Sequence, residues 1–311
     1  MEKKLLIAVD GSPSAEHAVD YVGLMEGDRI AELKVTLFTV MPAIPEFLRR
    51  EGQADPQTYK RLRALQEGNH QEAQKVLLKA RERLLKHGLA QEQVEVKAHP
   101  RLADAAHDIL FQAEQGLYDA VVLGRRGLTK TQELFVGSVT NKVVQHSQRT
   151  PVWVVDGRVT SLKVLCAVDG SEGSLKAVDH MAFMLGGNPQ CRVTIFHVGL
   201  SLQSYCPVDF SQAAIGAMQA DLERGDQRCM HDFFAQALKV LKEGGLAQDQ
   251  VDYLGADKGL SVSGKVLQAA RQGGYGTVVL GRSGQGRSSF LGHVSDKVMA
   301  GGQDLAVWVV G

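Results

Sequence analysis

The chain has no excess of either charge, no closely spaced cysteine pair and no long apolar run. Its 35 basic residues balance 35 acidic ones, so it lacks the basic excess or stripe of a dedicated nucleic-acid binder. No apolar run reaches the roughly 18 residues that a membrane span requires, and the first one, Leu5–Val9, is cut by Asp10 too soon for a secretory signal. Cys166, Cys191, Cys206 and Cys229 all lie in the second half at irregular intervals with no CxxC pair. That excludes a disulfide framework or a zinc ribbon and reads as reduced thiols, so a soluble, cytoplasmic protein is expected. Ten histidines are scattered without HExxH spacing, and no metal site is expected.

What is present is one pattern written twice. Residues 4–12 read KLLIAVDGS and residues 163–171 read KVLCAVDGS. YDAVVLGRRG at 118–127 returns as YGTVVLGRSG at 275–284, GSVTNKV at 137–143 as GHVSDKV at 292–298, and PVWVV at 151–155 as LAVWVV at 305–310. The repeat is too long for a solenoid unit, so it means duplicated domains. A length of 311 residues agrees, since domains run to about 150 residues. The expected domains are 1–157 and 158–311, with the boundary in the stretch DGRVTS.

Within each copy, short apolar runs alternate with segments of helical period. Leu5–Val9, Val35–Val40, Val94–Val96, Ala120–Leu123 and Val152–Val155 are rich in β-branched residues and apolar on both faces, as central strands of a parallel sheet are. Helices are expected over Ala15–Met25, Gly68–His87, Leu102–Gln115 and Val139–Ser147. Ser12-Pro13 supplies an N-cap and a first-turn proline; His87-Gly88 and Glu243-Gly244 supply glycine C-caps. This order predicts an α/β fold of two doubly wound, five-stranded parallel sheets, which bind ligands where strand order reverses.

The fourth strand of the first copy runs into a G-x2-G-x9-G-S pattern made by Gly124, Gly127, Gly137 and Ser138. Gly124 and Gly127 permit positive φ and close approach of a ligand to the backbone. Gly137 and Ser138 open a helix whose unpaired N–H groups and dipole favour anions. Ser138 and Thr140 add hydroxyls, and Arg125, Arg126 and Lys130 add charge. Chemically this describes a phosphate cradle. Asp10, at the carboxyl end of the first strand, suits an adenine amino group or a ribose hydroxyl, or serves only as a turn residue.

On AVDGS, VVLGRRG, the G-x2-G-x9-G-S loop and the closing TPVWVV strand, the chain resembles tandem-type universal stress proteins over essentially its whole length. The resemblance implies an adenine nucleotide α-hydrolase-like fold with strand order 3-2-1-4-5, and the two copies arranged as an intramolecular pseudo-dimer. It implies bound ATP, with or without Mg. Ala8, Val9 and Asp10 would lie along the adenine with Val40 on its ring, and Leu123 and Gly124 near the ribose. Arg126, Gly127, Gly137, Ser138, Val139 and Thr140 would surround the phosphates.

The second copy departs from this pattern. Gly281 and Gly284 are kept, but only seven residues separate Gly284 from Gly292, and His293 replaces the serine. A loop two residues shorter loses up to about 7 Å of reach. A lost hydroxyl-to-phosphate hydrogen bond costs on the order of 1.5–3 kcal/mol, roughly 10- to 100-fold in affinity. Protonated His293, with Arg282 and Arg287 nearby, offers an alternative anion contact. A weak second site would use Ala167, Val168, Asp169, Val198, Gly281, Gly284, Gly292, His293, Val294 and Ser295, and ATP is expected mainly in the first domain.

Rival chemistries lack their signatures. Asp10 and Asp169 are followed by Gly-Ser, without the second carboxylate of a haloacid-dehalogenase-like phosphatase. GxxxxGK[ST], a GxGxxG directly after the first strand, an SGGxD loop and a GxSxG elbow at a strand end are missing from their places. No catalytic residue is expected. Two readings stand: a nucleotide-dependent regulatory module in stress response, or an interaction protein in which nucleotide is structural or absent. The expected partners are an adenine nucleotide and an unidentified protein, with a homodimer left open and neither nucleic acid nor membrane involved. The hydrophobic closing strands, each with one tryptophan, need pairing and can pair with each other. The segment 42–68, rich in breakers, is either a lid over the first site or a partner surface.

Overall fold

The computed structural model of the chain describes residues 2–26, 32–127, 136–199, 212–256, 261–283 and 292–311. Two compact units result, Met1–Thr150 and Pro151–Gly311.

The first unit contains the strands β1 (Lys3–Ala8), β2 (Leu33–Met41), β3 (Val94–Pro100) and β4 (Ala120–Gly124) in the order β3-β2-β1-β4, all parallel. Ala8 pairs with Phe38 on one side and Leu123 on the other, so the strand order reverses beside the ends of β1 and β4. Leu5, Leu6, Ile7, Val121 and Val122 are wholly buried, which explains why these strands are apolar on both faces. Helix α1 (Pro13–Glu26) follows β1. Ser12 caps it, its Oγ accepting from the Ala15 amide at 3.2 Å.

The segment 42–68, for which no helix was expected before Gly68, carries two helix starts. Two of its prolines sit there: Pro45 precedes α2 (Glu46–Ala54), and Pro56 opens α3 (Pro56–Lys86) behind Asp55. The Asp55 carboxylate accepts from the amides of Gln57 and Thr58 at 3.3 and 2.8 Å. Pro45 and Pro56, breakers in sequence, mark helix starts in structure, because proline fits a first helical turn whose N–H groups have no partner. As a result α3 begins twelve residues before the expected Gly68. Its end is as expected, with Gly88 at φ 100° and the Leu89 amide donating to Leu84 O at 3.2 Å. Arg83 binds Asp20 at 2.7 Å and also Glu16, which Lys79 joins, fastening α3 onto α1. Burial opposes ionisation of Glu16, but the hydrogen bonds and charges of Lys79 and Arg83 prevail and hold its carboxyl below the usual range. Helices α4 (Ala105–Gln115) and α5 (Ser138–His146) complete the unit.

The second unit starts with β5 (Val152–Val155) and continues as β6 (Lys163–Val168), α6 (Glu172–Leu185), β7 (Arg192–Val198), α7 (Gln212–Glu243), β8 (Val251–Ala256), α8 (Val262–Gly273), β9 (Thr277–Gly281), α9 (His293–Gly301) and β10 (Ala306–Val310). The order is β8-β7-β6-β9-β10-β5, so the second repeat has the expected 3-2-1-4-5 arrangement. The positive φ after α7 belongs to Gly245 rather than Gly244. Strand β10 is not an edge: it pairs parallel with β9 and antiparallel with β5, with Trp308 opposite Trp153. The pairing expected between the closing strands thus occurs inside the second unit, and β5 groups with that unit although it ends the first repeat.

The two indoles are fully buried and stack at 3.8 Å between centroids with 1° between planes. Trp153 Nε1 donates to His180 Nε2 at 3.0 Å. Burial pushes the His180 pKa down to about 3, so the ring is neutral and able to accept. Among the described residues no helix is long and apolar enough to cross a membrane.

Candidate functional site

A cavity of about 430 Å³ opens at the carboxyl ends of β1, β2 and β4, against α3 and the start of α5. Its lining contains every residue expected in the first site: Ala8, Val9, Asp10, Val40, Leu123, Gly124, Arg126, Gly127, Gly137, Ser138, Val139 and Thr140. The topology explains this, since the turns after β1 and β4 leave adjacent strands in the same direction and diverge to opposite sides of the sheet.

The glycines earn their places differently than expected. Neither Gly124 nor Gly127 has positive φ; that conformation falls on Gly11 at 79°. A Cβ on Gly124 would stand 2.5 Å from the Ser14 carbonyl carbon, and one on Gly127 would stand 2.7 Å from Asp10 Oδ2. Both therefore let the loop after β4 close onto the turn after β1. Hydrogen bonds fasten this contact: the Arg126 amide donates to Ser14 Oγ at 3.3 Å, and Ser12 Oγ donates to Arg126 O at 3.4 Å.

At the far end of the loop, the Gly137 amide donates to Arg125 O at 2.8 Å. Gly137 is also the N-cap of α5 and carries no side chain to cap it. The first-turn amides of Ser138, Val139 and Thr140 have no intrahelical acceptor, and the positive end of the helix faces the cavity they line. A serine or aspartate cap would cover those amides; glycine leaves them open to an anion.

Two expected contributors are redirected. The Thr140 hydroxyl donates to Gly124 O at 2.9 Å and is buried, so it braces the loop. Arg125 is 1% exposed and absent from the lining, leaving Arg126 as the cation among the described lining residues. Lys130 lies outside the described residues. Asp10 is exposed, and its Oδ1 accepts from the Ser12 amide at 2.9 Å, the turn role weighed from sequence; its Oδ2 faces Gly127.

Sequence reasoning missed the wall formed by Thr39, Asn69, Glu72, Ala73 and Val76. Asn69, Ala73 and Val76 follow i, i+4, i+7 spacing on α3, a signal that the helix expected over Gly68–His87 already contained. Phe38, Met41, Pro42, Ala105 and Ile109 add apolar surface.

The second copy keeps the braces. The Gly292 amide donates to Arg282 O at 2.7 Å, and Ser295 Oγ donates to Gly281 O at 2.8 Å, as Gly137 and Thr140 do. Gly292 is again an N-cap without a side chain, followed by exposed His293 and by Val294. Ala167 and Val168 end β6, and Val198 ends β7. The Asp169 carboxylate, however, is engaged by the Ser171 amide at 3.1 Å and by Ser174 Oγ at 2.6 Å. Ser283 stands where the first copy has Arg126. Arg282 is 7% exposed, and burial lowers its pKa. Gly284 and Arg287 lie outside the described residues.

Residues 1–156 and 161–303 each match the family model described as "Universal stress protein family". The chain belongs to that family. Universal stress protein YxiE of Bacillus subtilis (strain 168) is 26% identical over 166 residues, covering 50% of this chain and 99% of YxiE. The crystal structure of a universal stress protein from Archaeoglobus fulgidus DSM 4304 aligns over 99% of this chain and 97% of its own, with a TM-score of 0.65 at 17% identity. The functionally unknown protein PA1789 from Pseudomonas aeruginosa PAO1 aligns over 99% and 92% respectively, with a TM-score of 0.54 at 13% identity. At these identities the two structures speak for the fold. The family match at two consecutive stretches makes the chain a tandem of two universal stress protein domains, in agreement with the internal repeat.

Proposed function

We propose that the first universal stress protein domain binds ATP, and that the protein is a nucleotide-dependent regulatory module rather than an enzyme. The observation that carries this reading is the uncapped first turn of α5 at the mouth of a largely apolar cavity. Ala8, Val9, Val40 and Leu123 suit a planar base, and the amides of Ser138 to Thr140 with Arg126 suit phosphates. A role as a binder also agrees with how the acidic groups of the lining are used: the Asp10 carboxylate is part of its own turn, and Glu72 pairs with Lys75 at 3.2 Å. Mg would enter only with the nucleotide's phosphates.

The test is a mass spectrum of denatured, purified protein, with co-purifying ATP or ADP as the expected result. In parallel, ATP should raise the thermal midpoint of wild type but not of Gly137→Val. If wild type shows neither bound nucleotide nor a shift, the ATP reading is wrong. One observation favours an interaction role in addition: Phe47, Tyr59 and Leu65 of α2 and α3 are 61%, 57% and 51% exposed, which suits a protein partner for the segment that follows β2.

A further inference from the structure

Three side chains that shape the first cavity have larger counterparts in the second domain, and one of these, His197, binds the counterpart of a fourth. The equivalence is fixed by register. Phe38 pairs with Ala8 as Phe196 pairs with Ala167, so His197 occupies the place of Thr39. The closing turns of the long helices also match, Leu89 to Leu84 and Leu246 to Leu241. Asp226, Met230 and Phe233 therefore occupy the places of Asn69, Ala73 and Val76.

Thr39 donates to Val9 O. His197 Nδ1 makes the same contact with Val168 O at 2.9 Å, and its ring continues to Asp226 Oδ2 at 3.0 Å. The pair spans from β7 to α7 and is largely buried, at 13% and 10% side-chain exposure. Met230 and Phe233 are 4% and 5% exposed. We infer that the base-binding half of the second cleft is plugged by its own His197–Asp226 pair together with Met230 and Phe233, so that the tandem carries one nucleotide site per chain.

This cause differs from the shortened loop. The loop and the Arg126 to Ser283 exchange act on the phosphate half and weaken binding, whereas the plug takes the space a base would fill. A ligand cannot simply displace it, because moving His197 aside leaves the Asp226 carboxylate buried without its partner. The inference rests on reading the first cavity as an ATP site, and the experiment separates the two.

Isothermal titration of the full chain with ATP is expected to give one site. Two sites per chain overturn the plug and leave the first-site reading intact; no ATP binding defeats the first-site reading, and the opened variant then decides the plug. In that variant, His197→Thr, Asp226→Asn, Met230→Ala and Phe233→Val together should create adenosine binding in the second domain that wild type lacks. A variant that keeps its circular dichroism but gains no adenosine binding overturns the plug. The converse transplant, Thr39→His with Asn69→Asp, Ala73→Met and Val76→Phe, should lower ATP affinity at least about 100-fold. A folded transplant that binds ATP within about threefold of wild type overturns it as well.

Discussion

Replacing His180 by glutamine should remove a specific part of the protein's acid sensitivity. The ring is buried beside the stacked indoles and accepts a hydrogen bond from Trp153 Nε1. Burial puts its folded pKa at about 3 against 6.5 for the free side chain. A depressed histidine pKa means that the native state binds fewer protons than the unfolded state between those values. Its contribution to stability is therefore intact above pH 6.5 and falls as the pH drops through that window. The loss is about 0.8 kcal/mol at pH 6 and about 2 kcal/mol at pH 5. Any folded value below about 4 leaves the pH 5 figure nearly unchanged, because the native ring is unprotonated there in either case.

Glutamine keeps an acceptor for the indole N–H and does not titrate. Trp153 and Trp308 are the chain's 2 tryptophans, and both lie in the second unit, so their fluorescence reports that unit's unfolding alone. Urea titrations at pH 7.5 and pH 5 should show the wild-type midpoint falling by about 1 M more than that of His180→Gln, taking an m-value of about 2 kcal/mol/M. Carboxylates titrate in both proteins and cancel in the comparison. Equal falls in the two midpoints would refute the assignment of His180 as a buried neutral acceptor.

Gly127→Ala should weaken ATP binding by about tenfold or more, since its Cβ would meet Asp10 Oδ2 at 2.7 Å; calorimetry should show part of the loss recovered when Asp10→Ala is added. Thiol labelling of the native protein at pH 8, read by peptide mapping, should modify exposed Cys229 and spare buried Cys166, whose pKa burial pushes up to about 12. Labelling of Cys166 at a comparable rate would contradict its burial.

The parts of the site legible in the sequence were those written in local spacing. The strands of the parallel sheet appeared as short runs apolar on both faces, and the glycines of the loop stood at the end of one of them. Together these carried the resemblance to universal stress proteins, and it was that resemblance that let the expected lining residues of the first cavity be named by number. The segment 42–68 was less legible because Pro45, Gly52 and Pro56 are ambiguous alone: proline at a first helical turn and proline as a breaker look the same until the cap, here Asp55, is seen to bind Gln57 and Thr58. The purpose of the glycines was misread for a related reason. Gly124 and Gly127 are required by Ser14 and Asp10, partners more than 100 residues away that spacing does not reveal.

The sequence by itself determined that there are two copies of one α/β domain, where the strands of the sheet run, and which copy keeps the G-x2-G-x9-G-S spacing, because each of these is carried by order and local spacing; that Val94–Val96, expected as a central strand, is the edge strand β3 was not among them. Only the tertiary structure decided that the Thr140 hydroxyl is turned inward, that Arg125 is buried, and that His197 meets Asp226 where the other domain is hollow. Those outcomes depend on which side chains from a strand and a distant helix arrive at the same point, and no interval along the chain encodes that meeting.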